Sequence, residues 1–268
     1  MANIPRRSRV LDKLRAGQRV LCFKNNFSCI RASEIPAMAG FDCLWICQEH
    51  VPLDNSTMEM QILAAKAHDT DTIVRVQKGC YSDYILPLEA DASGIMVPHL
   101  MSAEEARQIA HWTRFQPIGR RPLDGGNADG LFCRIPASQY TAFANENRLV
   151  IVQIEDPEPL SELDEICQVP GIDMIFFGPG DFSHSIGSVG ELEHPEVDRV
   201  RRLVASTARK YGKYAGTVCS MDTMQTYFDL GYQFLNCGAD VGALNLYCDN
   251  VVKKFRNCNE NMGKLPLS

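Results

Sequence analysis

Two carboxylates stand out by what precedes them. Glu155 closes the apolar run LVIVQIE. Asp181 follows the run DMIFFG through the turn Gly178-Pro179-Gly180. If the two runs are neighbouring strands, the acidic tips lie side by side and repel, unless a cation sits between them or one is protonated. A hard divalent ion such as Mg²⁺ or Mn²⁺ suits two protein oxygens and keeps positions for water and a chelating substrate. The same residues admit a plain structural reading, with Glu155 as the partner of Arg75 and Asp181 as a helix N-cap. Arg75 ends TIVR, where a guanidinium can grip a carboxylate bidentately or serve a structural ion pair. His50, just past CLWIC, could exchange protons near neutrality or be structural. His99, His184 and His194 are weaker candidates. His111 reads as helical and His68 as a surface residue. Cys47 is the best-placed thiol, and it reads as a buried strand cysteine. The glycines at 178 and 180 do not continue as GxGxxG, and no GxxxxGK[ST] occurs.

The elements that must position these residues are short apolar runs separated by longer amphipathic stretches. The runs are Val20–Phe23, Cys43–Cys47, Thr72–Val76, Gly94–Pro98, Leu149–Glu155, Asp173–Gly178, Tyr214–Val218 and Gln233–Cys237. Continuous apolarity suits parallel strands covered on both faces. Helices are expected from Ser102, from Ser161 to Cys167, from His194 to Tyr211 and from Met221 to Leu230, the last stopped by Gly231. Strand-helix alternation means α/β, and eight strands in 268 residues favour one (β/α)8 barrel over the whole chain, 1–268. In that fold the C-terminal ends of the strands carry the site, and the polar residues collect there. The stretch Gln116 to Arg134, rich in glycine, is too long for an ordinary connection and reads as functional or disordered. The apolar segment Ala243 to Phe255 could be a helix exchanged between subunits or part of the barrel wall.

Composition excludes several classes. Net charge is −6, and the one sharp basic cluster, Arg199, Arg201 and Arg202, reads as a solvated helix face, so nucleic acid is not an expected partner. The N-terminal MANIPRRSRV has no apolar core of a signal peptide, and no run approaches the ~20 apolar residues of a membrane span. Eleven scattered cysteines without a CxxC pair fit a reduced, cytoplasmic compartment.

VIVQIEDPEPLSELDEICQVPGIDMIFFGPGDFSHSIG resembles the central signature of the HpcH/HpaI family of metal-dependent, class II pyruvate aldolases. The likeness extends to AGFDCLWICQEHVPLD, TIVRV, LEADASGIMVPHLMSAEEAR, IGRRP, HPEV and GYQFLNCGADVGAL, in order along most of the chain. It implies a barrel of the phosphoenolpyruvate/pyruvate type, assembled as a homo-oligomer, usually a hexamer. It implies a divalent metal ion (Mg, Mn or Co) held by Glu155 and Asp181 and chelated by pyruvate or its enolate. Arg75 would stabilise the enolate oxygen, and Gln153 would stand near the metal's waters. Backbone N–H groups around Gly180 and Asp181 would hold the carboxylate, His50 would move the proton of the aldol hydroxyl, and Arg121 matches the arginine of the glycine-rich turn. The implied reaction cleaves a 4-hydroxy-2-oxo acid to pyruvate and an aldehyde. Departures from the pattern are Cys47 where an aspartate often supports the histidine, Val76 where proline often follows the arginine, and the loop 123–130. With Cys47 unable to act as a carboxylate, Glu49 or His99 could share the proton role. The same enolate site could also serve oxaloacetate decarboxylation or another citrate-lyase-like reaction, or bind a keto acid without turnover.

Overall fold

The computed structural model describes residues 5–261, with side chains through residue 258. Residues 1–4 and 262–268, the two ends of the expected domain and the start of the stretch read for a signal peptide, lie outside the described residues. In chain order the elements are α1 (Arg9–Arg15), β1 (Val20–Asn25), α2 (Ile30–Ala39), β2 (Cys43–Cys47), α3 (Asn55–Lys66), β3 (Asp71–Arg75), α4 (Tyr81–Glu89), β4 (Gly94–Val97) and α5 (Ala103–Thr113). There follow α6 (Ala137–Asn147), β5 (Leu149–Ile154), α7 (Leu163–Gln168), β6 (Met174–Phe177), α8 (Pro179–Ser185), α9 (Pro195–Lys210), β7 (Tyr214–Cys219), α10 (Met224–Asp229), β8 (Phe234–Ala239) and α11 (Asp240–Asn261). The eight strands pair in parallel and in chain order, β8 closing on β1, so the fold is the expected (β/α)8 barrel.

The continuous apolarity of the strands has two destinations. Alternate residues such as Trp45, Ile73, Met96, Ile151 and Phe176 fill the inside of the ring. The others, such as Val74, Ile95, Val152 and Phe177, meet the helices in the outer layer. The inner cluster also contains Val10, Leu11 and Leu14 of α1, which plugs the N-terminal end of the barrel. Asp71 fastens that plug. Its Oδ2 accepts hydrogen bonds from Ser8 Oγ at 2.6 Å and from the Val10 N–H at 2.9 Å.

Three strands run further toward the open end than expected. β1 continues past Phe23 to Asn25, β7 past Val218 to Cys219, and β8 past Cys237 to Ala239. Lys24 and Asn25 are thus part of the ladder, paired with Trp45 and Ile46 of β2. The expected helix at Ser161 starts instead as a 3₁₀ turn, Glu158–Glu162, before α7.

Candidate active site

The tips of β2 to β6 bring the candidate residues together. Glu155 is 1% exposed and fixed from two sides. Gln153 Nε2 donates to Oε1 at 2.7 Å, and the backbone N–H of His99 donates to Oε2 at 3.1 Å. His99 reaches that position with a left-handed backbone, φ +47°. Burial pushes the Glu155 carboxyl up to about 7. His99 and Arg75 oppose that shift, and the Asp181 charge adds to it.

Gly178 leaves room for the Glu155 carboxylate. A Cβ there would stand 2.3 Å from Glu155 Oε1. Asp181 lies in the first turn of α8, not at its N-cap, which is Gly178. Its side chain has no hydrogen bond or ion pair among the described residues. The N–H groups of Gly180 and Asp181 have no partner inside the helix, and the space around Gly180 is open. Two acidic groups, one buried and one free, plus the unsatisfied Oε1 of Gln153, form an all-oxygen set that fits a hard divalent ion.

Arg75 does not pair with Glu155. It is 3% exposed, and its Nε lies 2.9 Å from Glu49 Oε2, a charged contact without hydrogen-bond alignment. Its Nη2 donates to Cys47 Sγ at 3.2 Å, and its guanidinium stacks 4.8 Å over the Trp45 ring. Trp45 and Phe176, edge to face at 5.5 Å, make the apolar floor.

Two histidines border the mouth. The His50 side chain is 54% exposed, with Nε2 3.4 Å from Glu49 Oε2 and its backbone N–H 3.5 Å from Cys47 Sγ. His99 Nδ1 lies 2.8 Å from Asp156 Oδ2, and its Nε2 lies 3.8 Å from Glu49 and 3.9 Å from Glu155. Burial pulls the His99 pKa down, but Asp156, Glu155 and Glu49 outweigh it, and the net direction is upward.

A family model described as HpcH/HpaI aldolase/citrate lyase matches residues 19–245. The chain belongs to this family. Its sequence is 29% identical over 226 residues to a protein named 5-keto-4-deoxy-D-glucarate aldolase from Klebsiella pneumoniae subsp. pneumoniae, covering 84% of this chain and 88% of that one. The citrate synthase SbnG superposes with a TM-score of 0.86 at 27% identity, covering 94% of this chain and 98% of that one. An HpcH/HpaI aldolase/citrate lyase family protein from Burkholderia cenocepacia J2315 gives 0.86 at 26%, covering 93% and 99%. The chain is thus an enzyme of the aldolase/lyase type. Among its described residues no helix is long and apolar enough to cross a membrane.

One expected site residue of this family member stands elsewhere. Arg121 lies at the closed end of the barrel. Its backbone N–H bonds to Arg114 O, and Arg114 in turn reaches Gly171 and Asp173 ahead of β6. The Arg121 Nη2 pairs with buried Asp129 at 2.8 Å, and the guanidinium packs over Phe115. This corrects its expected place beside the substrate. The glycine-rich turn is held by buried polar contacts, and its arginine is their hub. The long stretch 116–134 is ordered by the same contacts, with Tyr140 Oη donating to Asp129 Oδ2 at 2.7 Å.

His184, on α8, and His68 are not part of the group, and His194 accepts from the Glu196 N–H as the cap of α9. Arg199 and Arg202 pair with Glu196 and Asp198 on the surface of α9, whereas Arg201 is buried. Sequence reasoning missed Asp156 and Lys24. Asp156 follows Glu155 directly, and only its contact with His99 marks it. Lys24 was visible as a charge breaking the apolar run of β1.

Proposed function

We propose that this enzyme is a divalent-metal-dependent aldolase that cleaves a 4-hydroxy-2-oxo acid to pyruvate and an aldehyde. The observation that carries the reading is Glu155, a buried carboxylate that feels the charge of Asp181, packs against Gly178 and lacks an ion-pair partner closer than His99. Glu155 and Asp181 would hold the ion, with Gln153 orienting Glu155. Bound there, Mg²⁺, Mn²⁺ or Co²⁺ supplies a Lewis acid for the keto acid. The free N–H groups of Gly180 and Asp181 receive the substrate carboxylate.

Arg75 faces the oxygen on which negative charge develops as the C3–C4 bond breaks. Its tether to Glu49, Cys47 and Trp45 fixes it before the reaction, and its Nη1 makes no hydrogen bond among the described residues. His50 removes the C4 hydroxyl proton, the C3–C4 electron pair passes to the keto acid as its enolate, and reprotonation at C3 completes pyruvate. Glu49 stands in for the carboxylate that Cys47 does not provide. It touches His50 directly, and it also holds Arg75.

Release of pyruvate from a panel of 4-hydroxy-2-oxo acids, including 5-keto-4-deoxy-D-glucarate, tests the reading with Mg²⁺, Mn²⁺ or Co²⁺ against EDTA. No pyruvate under any condition would sink it. Oxaloacetate belongs in the panel because Cys47 beneath His50 weakens the proton-removing side. Decarboxylation needs no hydroxyl proton removed, so pyruvate from oxaloacetate alone would turn the reading to that reaction.

The proposal extends to a cytoplasmic homo-oligomer, the hexamer that the resemblance implies. α11 leaves the barrel with Leu244, Leu246, Tyr247, Val251, Val252 and Phe255 exposed, while an apolar groove beside α2 is lined by Phe23, Phe27, Ile35 and Phe41. An exchanged α11 would cover such surface on a second copy. Sedimentation as a monomer at working concentration would remove this part.

A further inference from the structure

Lys24 is the cation that this mechanism leaves unused. It lies near the end of β1, in register with Trp45 of β2. Val20 and Cys22 of the same strand belong to the inner cluster, so the alternation turns Lys24 inward. Its Nζ stands 4.8 Å over the Trp45 ring, the ring that Arg75 also covers at 4.8 Å. Among the described residues the ammonium has no hydrogen bond and no carboxylate at ion-pairing distance. The groups that bear on it are burial, which lowers its pKa, then the charge of Arg75 in the same direction, opposed by Cys47, Glu49 and Asp181. A half-buried ammonium without a counterion is costly unless something anionic completes it.

We infer that Lys24 is the residue that binds a remote carboxylate on the aldehyde half of the substrate. This rests on the aldolase reading above. The ring order decides which end of the substrate Lys24 meets. β1 stands opposite β5, four strands away in either direction. A keto acid held at Glu155 and Asp181 would have its own carboxylate at the start of α8, which follows β6, three strands from β1. A chain extended from there over Trp45 would meet Lys24 with its far end, because the Lys24 ammonium lies over that ring. Arg75, on β3 between the two, is engaged by Glu49 and Cys47 and faces the reacting oxygen. Lys24, without a hydrogen-bond or ion-pair partner among the described residues, is therefore available to a second anionic group.

The test is aldol addition of pyruvate by the intact, metal-loaded enzyme to aldehydes matched in carbon number. Glyoxylate is compared with acetaldehyde, and succinic semialdehyde with butanal. The wild type prefers one or both acids over their neutral counterparts. Lys24→Met lowers kcat/KM for the preferred acid by about 10- to 100-fold, the scale of one charge-assisted hydrogen bond. The loss falls mainly in KM for the aldehyde, and the neutral aldehydes change by less than about 3-fold. Lys24→Arg restores much of the preference, and thermal melting confirms that both variants fold. Equal losses on acid and neutral aldehydes, or a preference that Lys24→Met leaves intact, overturns the assignment while the aldolase reading stands. If the wild type adds pyruvate to no aldehyde and releases none from the cleavage panel, the aldolase reading fails and this inference falls with it.

Discussion

The two histidines at the barrel mouth have opposite surroundings. His99 is held at its ring and at its backbone. Asp156 takes its Nδ1, Ser185 Oγ donates to the other Asp156 oxygen at 3.0 Å, and the His99 backbone N–H is committed to Glu155. Its Nε2 faces two more carboxylates, Glu49 and Glu155. His50 is more than half exposed, with one loose contact to Glu49 and a thiol beneath it. A ring with carboxylates around both nitrogens balances charge and positions Glu155. A ring with an open face can approach a substrate, and catalytic hydrogen bonds are often loose until the substrate arrives. Under the proposed mechanism the better-ordered histidine would be the positioning residue, and the looser one would exchange the proton.

The largest effect should come from the group that both sides serve. Glu155→Gln keeps the shape and the hydrogen-bond capacity but removes the charge. We expect kcat/KM to fall about 1000-fold or more, the consequence of losing several kcal/mol of charge stabilisation. Calorimetric titration should show that metal binding is lost as well. Full activity and unaltered metal binding in this variant would contradict the assignment of the carboxylate pair.

The next effect separates the histidines. His50→Asn is expected to lower kcat about 100- to 1000-fold, as loss of a general base does. His99→Gln should cost about 10-fold and appear chiefly as weaker metal affinity, the behaviour of a residue that supports a ligand from behind. Asp156→Asn should follow His99 and not His50. If His99→Gln proves worse than His50→Asn in kcat while metal binding is unchanged, the roles must be exchanged.

The pH dependence sharpens the same contrast. Glu155 in the metal-free protein holds its proton up to about 7, mainly because it is buried. A raised carboxyl pKa means that the folded state binds more protons than the unfolded chain between the ordinary carboxylate range and about 7. Metal-free stability should therefore decline as pH rises through that window. Metal binding must expel the proton below about 7, so apparent affinity and metal-induced stabilisation should increase as pH rises to about 7 and then level off. Melting curves with and without Mn²⁺ across this range check the sign. A metal shift independent of pH would show that Glu155 is not the group displaced.

Much of this was legible in the sequence because strand ends are legible. Apolar runs closed by Glu155, Arg75 and the Gly178-Pro179-Gly180 turn marked the barrel, and they also singled out the carboxylates of the proposed metal pair. Partnerships were harder to read. Whether Arg75 meets Glu49 or Glu155 depends on side-chain direction across neighbouring strands, which spacing does not contain. His99 looked weak because its partner Asp156 lies 57 residues away in sequence. Arg121 looked functional because its turn matched a family pattern, yet the pattern says nothing about which end of the barrel the turn occupies.

Arg121 supplies the smallest expected effect on catalysis and the clearest contrast between the two ends of the barrel. Its ion pair with Asp129 is almost wholly enclosed, side-chain exposures being 1% and 0%. Arg121→Ala leaves an uncompensated buried carboxylate, with Tyr140 Oη as its remaining donor. Breaking such a pair from one side typically costs about 3–5 kcal/mol. We expect a clear drop in melting temperature, with kcat/KM within about 2-fold of wild type at a temperature where the variant is folded, since distant sites contribute nearly independently. Asp129→Asn in the Arg121→Ala background should recover part of the lost stability, because it removes the stranded charge. A large loss of kcat/KM in folded Arg121→Ala would instead mean that this end of the barrel reaches a catalytic mouth, which in a single barrel it does not.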